Sequence, residues 1–144
     1  MAGEIKWLYA DTVTLEDSGA SAASNAFAVA DATVLASGNH SDFPVADLVL
    51  KCDFSAAPAA GGAVNIYRRD MNIDGTNDAI VPASTFPYVL VGVVPIPQSA
   101  SAVYPVPNVP ISKECSFYIE NKTNQRLEVG WTLKATPKTF VPGT

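Results

Sequence analysis

The stretch that most restricts the fold runs from Cys115 to Ala135, because both of its halves alternate with period two. Cys115, Phe117 and Ile119 fall on one face, and Ser116, Tyr118 and Glu120 on the other. After Asn121-Lys-Thr-Asn-Gln125, the residues Leu127, Val129, Trp131 and Leu133 share a side opposed by Glu128, Gly130, Thr132 and Lys134. Such alternation suits a strand with one buried face and one wet face. A helix needs apolar residues three and four apart, and they are missing here. Asparagine tolerates left-handed backbone and bonds its own chain, so the polar centre predicts a turn and the whole stretch an antiparallel hairpin.

The same period runs upstream. Ile5 to Tyr9 and Thr12 to Leu15 predict a first strand or a bent pair, interrupted near Asp11. Phe27 to Leu35 predicts a weak strand, Ala46 to Phe54 a strong one, and Val64 to Arg68 another. Tyr88 to Val94 is apolar on both faces, which requires cover from within the fold or from a second subunit. Five prolines between Pro95 and Pro110 lack the N–H that a central strand needs, so 94–110 is expected to be an extended, polyproline-like arm. Residues 136–144 are expected to be a short tail. With 144 residues, eleven prolines, nine glycines and no amphipathic helix stripe, the chain predicts one domain over 1–144. The expected fold class is all-β, an antiparallel two-sheet sandwich of about eight strands, jelly-roll-like.

Charge and motif narrow the chemistry. A net charge of −5 with scattered lysines and arginines argues against a nucleic-acid partner. No run approaches the length of a membrane span. Met1 to Lys6 has neither the basic start nor the apolar core of a secretory signal, so folding in a cytoplasm is expected, with Cys52 and Cys115 as reduced, buried thiols. Asp70, Asn72, Asp74 and Asp78, with Gly75 among them, space oxygen ligands as a calcium loop does. The twelfth position of such a loop is Val81, where a bidentate Glu is needed, so an Asx-rich turn is the alternative. His40, the one histidine, neighbours Ser41 and Asp42, but adjacent residues on a turn cannot face one another as a triad. One His and two Cys also fall short of a structural zinc site. No catalytic signature is present, so neither an enzyme nor a cofactor is expected.

Several phrases in sequence carry a family likeness: Asn25-Ala-Phe-Ala-Val-Ala-Asp31, Tyr67-Arg-Arg-Asp70 through Asp78, Tyr88-Val-Leu-Val-Gly92, Phe117-Tyr-Ile-Glu-Asn121 and Gly130-Trp-Thr-Leu-Lys134. In this layout the chain resembles the small cement or decoration proteins of tailed bacteriophages. The resemblance implies a β-sandwich subunit on the outside of a virion, assembled in the host cytoplasm. It would bind the major capsid protein, stabilise the shell by bridging its subunits, and form a dimer or trimer. Val89, Val91, Val93, Ile96, Tyr104, Val106 and Phe140 are the candidate capsid or subunit contacts. The alternative is a carbohydrate- or receptor-binding sandwich on a phage tail or other particle; Tyr67, Tyr88, Tyr104, Tyr118 and Trp7 could stack on sugars, but their order does not cluster them and core or interface packing is expected.

Overall fold

The structure, a computed structural model, describes residues 4–30, 43–71, 89–112 and 114–142, and the backbone of 35–36. These residues form ten strands and no helix. In chain order they are β1 (Ile5–Tyr9), β2 (Val13–Gly19), β3 (Phe27–Val29), β4 (Leu35–Ala36), β5 (Val45–Asp53), β6 (Ala63–Asp70), β7 (Val89–Pro95), β8 (Ser101–Pro110), β9 (Glu114–Asn121) and β10 (Trp131–Pro142). One sheet runs β1-β10-β5-β8, with β2 also on β10; the other runs β3-β9-β6-β7, with β4 also on β9. Every pairing is antiparallel.

β1 and β2 lie end to end along β10, and β3 and β4 end to end along β9. Counting each couple once gives eight strands, paired first with eighth, third with sixth, second with seventh and fourth with fifth. That arrangement results when a chain folds back once at its middle and the long hairpin then rolls up, which is a jelly roll. The break between β1 and β2 has a local cause. Pro137 of β10 accepts from the Ala10 N–H through its carbonyl at 2.8 Å. Its own nitrogen carries no hydrogen to return to that strand, so the ladder lapses beside Asp11.

The core fills the space between the sheets. Leu48, Leu50 and Cys52 of β5, Val64 and Ile66 of β6, Phe117 and Ile119 of β9, and Trp131 and Leu133 of β10 are all buried. Trp131 lies against β2, where its Nε1 donates to Ala20 O at 2.9 Å. Gly19 is its partner in register, and a Cβ there would fall inside the indole ring. At one end of the core, Arg68 forks onto Asp70, Nε to Oδ1 at 2.7 Å and Nη2 to Oδ2 at 3.3 Å. Its Nη1 donates to Pro110 O of the opposite sheet at 2.6 Å, tying the two layers together.

The expected hairpin over 115–135 is not formed. β9 and β10 sit in opposite sheets, and residues 122–130 carry the chain between them. Asn121 holds the start of that crossing. Its Nδ2 donates to Ala22 O at 3.0 Å and Gln125 O at 2.7 Å, and its Oδ1 accepts from Thr123 N at 3.0 Å and Thr123 Oγ1 at 2.8 Å. Leu127 then exchanges two backbone bonds with Ala22, and Glu128 N donates to Asp53 O. This places Leu127 in the core and leaves Val129 exposed, against the expected phase. Ser116, Tyr118 and Glu120 are buried rather than wet, although they alternate with the core-facing Cys115, Phe117 and Ile119.

Two further expectations change. Over Ser101–Pro110 the proline-rich segment is not a free arm but strand β8, paired along β5 at the edge of its sheet. On an edge strand alternate residues turn their N–H away from the neighbour, so Pro105 and Pro107, two apart, can both sit with the bare nitrogen outward. The tail expected at 136–144 is likewise strand through Pro142: Thr136, Pro137 and Lys138 pair with β5, and Lys138 to Pro142 with β1.

The packing of Trp131 on Gly19 makes a coupled prediction. Trp131→Ala should cost about 3–5 kcal/mol in urea unfolding, as truncation of a buried ring does. Gly19→Ala should cost about 1–3 kcal/mol through overpacking, and almost nothing once Trp131 is already alanine. Additive losses would contradict the contact. Cys52 and Cys115 are both buried and unpaired. Burial, then the nearby Asp53 charge, pushes the Cys52 thiol up to about 12, and burial raises Cys115 too. Since the thiolate is the reactive form, neither should react with a thiol reagent at pH 8 until the protein unfolds.

Candidate interaction surfaces

Among the described residues no group of three or more His, Cys, Asp or Glu side chains converges as metal ligands do. Of the calcium-loop candidates, Asp70 is committed to Arg68 through both carboxylate oxygens. Asn72, Asp74 and Asp78 lie outside the described residues, as do His40 and Tyr88. Asn121, which matches a glycosylation acceptor formally, is fully buried with its amide engaged. What the described surface offers instead is exposed apolar residues, most of them at two places.

The first is β7, an edge strand. Its ladder with β6 pairs Asn65 with Val93, Ile66 with Gly92 and Tyr67 with Leu90, so Val91 is an extra residue. A β-bulge of this kind breaks strict alternation. It turns Leu90 and Val93, three apart, onto the same outer face as Asn65 and Tyr67. Leu90 is 49% exposed and Val93 54%. Val94 stays in the core and Val91 packs against it. Gly92 lets β7 close on β8 of the other sheet, since a Cβ there would lie 2.8 Å from Val106 Cγ1. Val89 to Val94 contains no charge and no proline, the usual guards of a sheet edge.

Across the same outer face two rows run through the sheet. Val29, Tyr118, Tyr67 and Leu90 form one, and Phe27, Glu120, Asn65 and Val93 the other. Glu120 anchors them: it accepts from Tyr67 Oη at 2.8 Å and Asn65 Nδ2 at 3.3 Å, and pairs with Lys122 Nζ at 3.0 Å. Burial works against its ionisation, but the bonds from Tyr67, Lys122 and Asn65 outweigh it and hold the carboxyl below its ordinary value. Burial and the Glu120 bond raise the Tyr67 phenol in turn.

The second place is where β1 meets the end of β10. Trp7 stacks on Phe140, ring centres 3.7 Å apart, and the Lys138 ammonium stands 4.2 Å from the Trp7 ring centre. Trp7, half-buried, is thus packed against both groups. Lys138 is itself buried and bonded to Asp47 Oδ1 at 2.7 Å. Asp47 also accepts from the N–H of Asn108, which takes left-handed backbone where β8 carries an extra residue opposite β5.

Of the seven candidate contacts, Val93 and Phe140 are exposed. Ile96 is buried in the core, Val91, Tyr104 and Val106 pack against it, and Val89 is half-buried. Leu90 was missed because simple alternation assigns it the face opposite Val93; no signal in the sequence marks the bulge. Tyr67 and Tyr118, distant in sequence, become neighbours across β6 and β9. No family model matches the chain, and no curated protein matches it.

A pH effect follows from Asp47. Burial opposes its charge, but the Lys138 and Asn108 bonds and the Lys138 charge together lower its pKa below the ordinary 3.8. A carboxyl depressed in the folded state stabilises fully above its unfolded pKa and loses that contribution as pH falls through the folded value. Asp47→Asn should therefore destabilise the protein at pH 7, with the gap from wild type closing below about pH 4. Urea unfolding across pH 2–7 checks it, and a gap independent of pH would contradict the pairing.

Proposed function

We propose that this protein is a structural subunit of a tailed-phage virion that binds the outside of the capsid and stabilises the shell by bridging major capsid protein subunits. The observation that carries the reading is the apolar edge strand β7, uncharged throughout, with Leu90 and Val93 turned to solvent. Natural sheet edges are commonly blunted by charge, so an uncharged edge with apolar side chains turned outward suits docking. Leu90 and Val93 meet the capsid, and Val29 extends the apolar outer face to the far strand of the sheet. Many copies gripping one lattice turn modest contacts into a durable coat through effective concentration. The resemblance in sequence layout and the jelly-roll fold support the same reading.

The carbohydrate-binding alternative draws less support from the described rings it would use. Trp7 is packed against Phe140 and Lys138, and Tyr67 and Tyr118 are buried. Sugar stacking needs an open aromatic face, which Tyr67 and Tyr118 do not present.

The test adds wild type and the Leu90→Asp/Val93→Asp variant to expanded capsids stripped of the protein. Both positions are exposed, so the variant should keep the wild-type melting temperature. Bound copies should fall about tenfold or more, the effect of losing about 1.4 kcal/mol of contact energy. DNA release on heating should come earlier from capsids carrying the variant than from those carrying wild type. Equal binding by the two proteins would overturn the assignment of β7. Failure of wild type to bind, with retention by a bacterial surface glycan, would replace the capsid reading with the receptor one.

A further inference from the structure

β1 stands apart from the rest of the molecule. It pairs with β10 alone, through Ile5 with Pro142, Lys6 with Val141, Trp7 with Phe140, Leu8 with Thr139 and Tyr9 with Lys138. From Thr139 onward β10 has no other partner strand among the described residues, since its pairing with β5 ends at Lys138. The two therefore make a two-stranded ribbon, an element of marginal stability in water when left alone. No residue of β1 belongs to the core. One ribbon face carries Ile5, 74% exposed, Tyr9, 54%, and Phe140, 59%, and the other carries Leu8, 47% exposed. These four are among only ten large apolar residues exposed in the described structure, so the ribbon concentrates them. β1 joins β2 through Ala10, Asp11 and Thr12, and Asp11 and Thr12 are exposed where the ladder lapses opposite Pro137.

We propose that β1 is exchanged between copies, so that Ile5–Tyr9 of one subunit pairs with Lys138–Pro142 of a second copy of this chain. The occupant follows from the register. The strand that already fits this length of β10, with Trp7 seated against Phe140 and Lys138, is β1 itself, and a second copy carries the same one. Exchange thus preserves every contact between β1 and β10 while opening only the Asp11–Thr12 hinge. It leaves the core intact, because β2 remains on β10 through Gly19, Glu16, Thr14 and Val13. It also brings two ribbons together, so that Ile5, Leu8, Tyr9 and Phe140 gain cover that one copy does not give them. The partner is a second copy, and the inference stands apart from the capsid reading: it is measured in solution, without particles.

The experiment uses Leu8→Cys and Thr139→Cys, which face each other in register. The native thiols are buried and do not compete. The two single variants are mixed, incubated and oxidised, and the products are mapped by mass spectrometry. Exchange predicts dimers linked between residue 8 of one copy and residue 139 of another, and linked oligomers from the double variant. A second measurement removes residues 1–9: the full chain should sediment as an oligomer, and the shortened chain as a monomer that still unfolds cooperatively. The proposal is overturned if the mixed variants give no such link while the double variant closes only within one chain. It is also overturned if the shortened chain keeps the oligomeric state of the full one.

Discussion

The roll depends on one buried amide. Asn121 uses both hydrogens and both lone-pair directions of its side chain, on Ala22, Gln125 and Thr123, with no access to water. A buried polar group in that state contributes modestly when satisfied and costs about 1–3 kcal/mol for each donor or acceptor left bare. The geometry therefore allows one path for residues 122–130. They leave the β9 sheet, pass Ala22, and enter the β10 sheet beside Asp53. The same bond to Ala22 fixes the start of the lead into β3. Two sheets, the long β10 and the Trp131 pocket on Gly19 all follow from that crossing.

Asn121 also explains how far the sequence could be read. Alternation reports which residues face inward, and it placed β5, β6 and the inward face of β9 well, because Leu48, Leu50, Ile66, Phe117 and Ile119 all point to the core. It carries no information on which sheet a strand joins. Asn121-Lys-Thr-Asn-Gln125 has the composition of a hairpin tip, and the same composition serves an Asn whose amide is sunk between layers. The difference lies in Ala22, about a hundred residues upstream, and local pattern cannot see it. Proline misled for a related reason. Pro105, Pro107 and Pro110 forbid a central strand but not an edge one, so what looked like an arm is β8. Pro137, which looked like the start of a tail, sits where the first strand breaks, opposite the lapse it causes.

The surfaces were legible in composition and not in position. Val93 and Phe140 are exposed, while Ile96 fills the core and Val91, Tyr104 and Val106 support it. A single bulge at Val91 decides this on β7 by turning Leu90 to the side of Val93. On the ribbon the decision belongs to Lys138, which is held down by Asp47 and stands over the Trp7 ring. The β7 surface is thus set by an irregularity in an otherwise regular ladder, and the ribbon surface by an ion pair beneath it.

The central proposal is that this jelly roll docks on a capsid through β7. An image reconstruction of the intact particle, at a resolution that separates strands, tests it most directly. The account predicts the roll on the outer capsid surface, with Leu90 and Val93 against the major capsid protein. Density for the roll on the tail, or on the capsid with the β7 face turned to solvent, would contradict it.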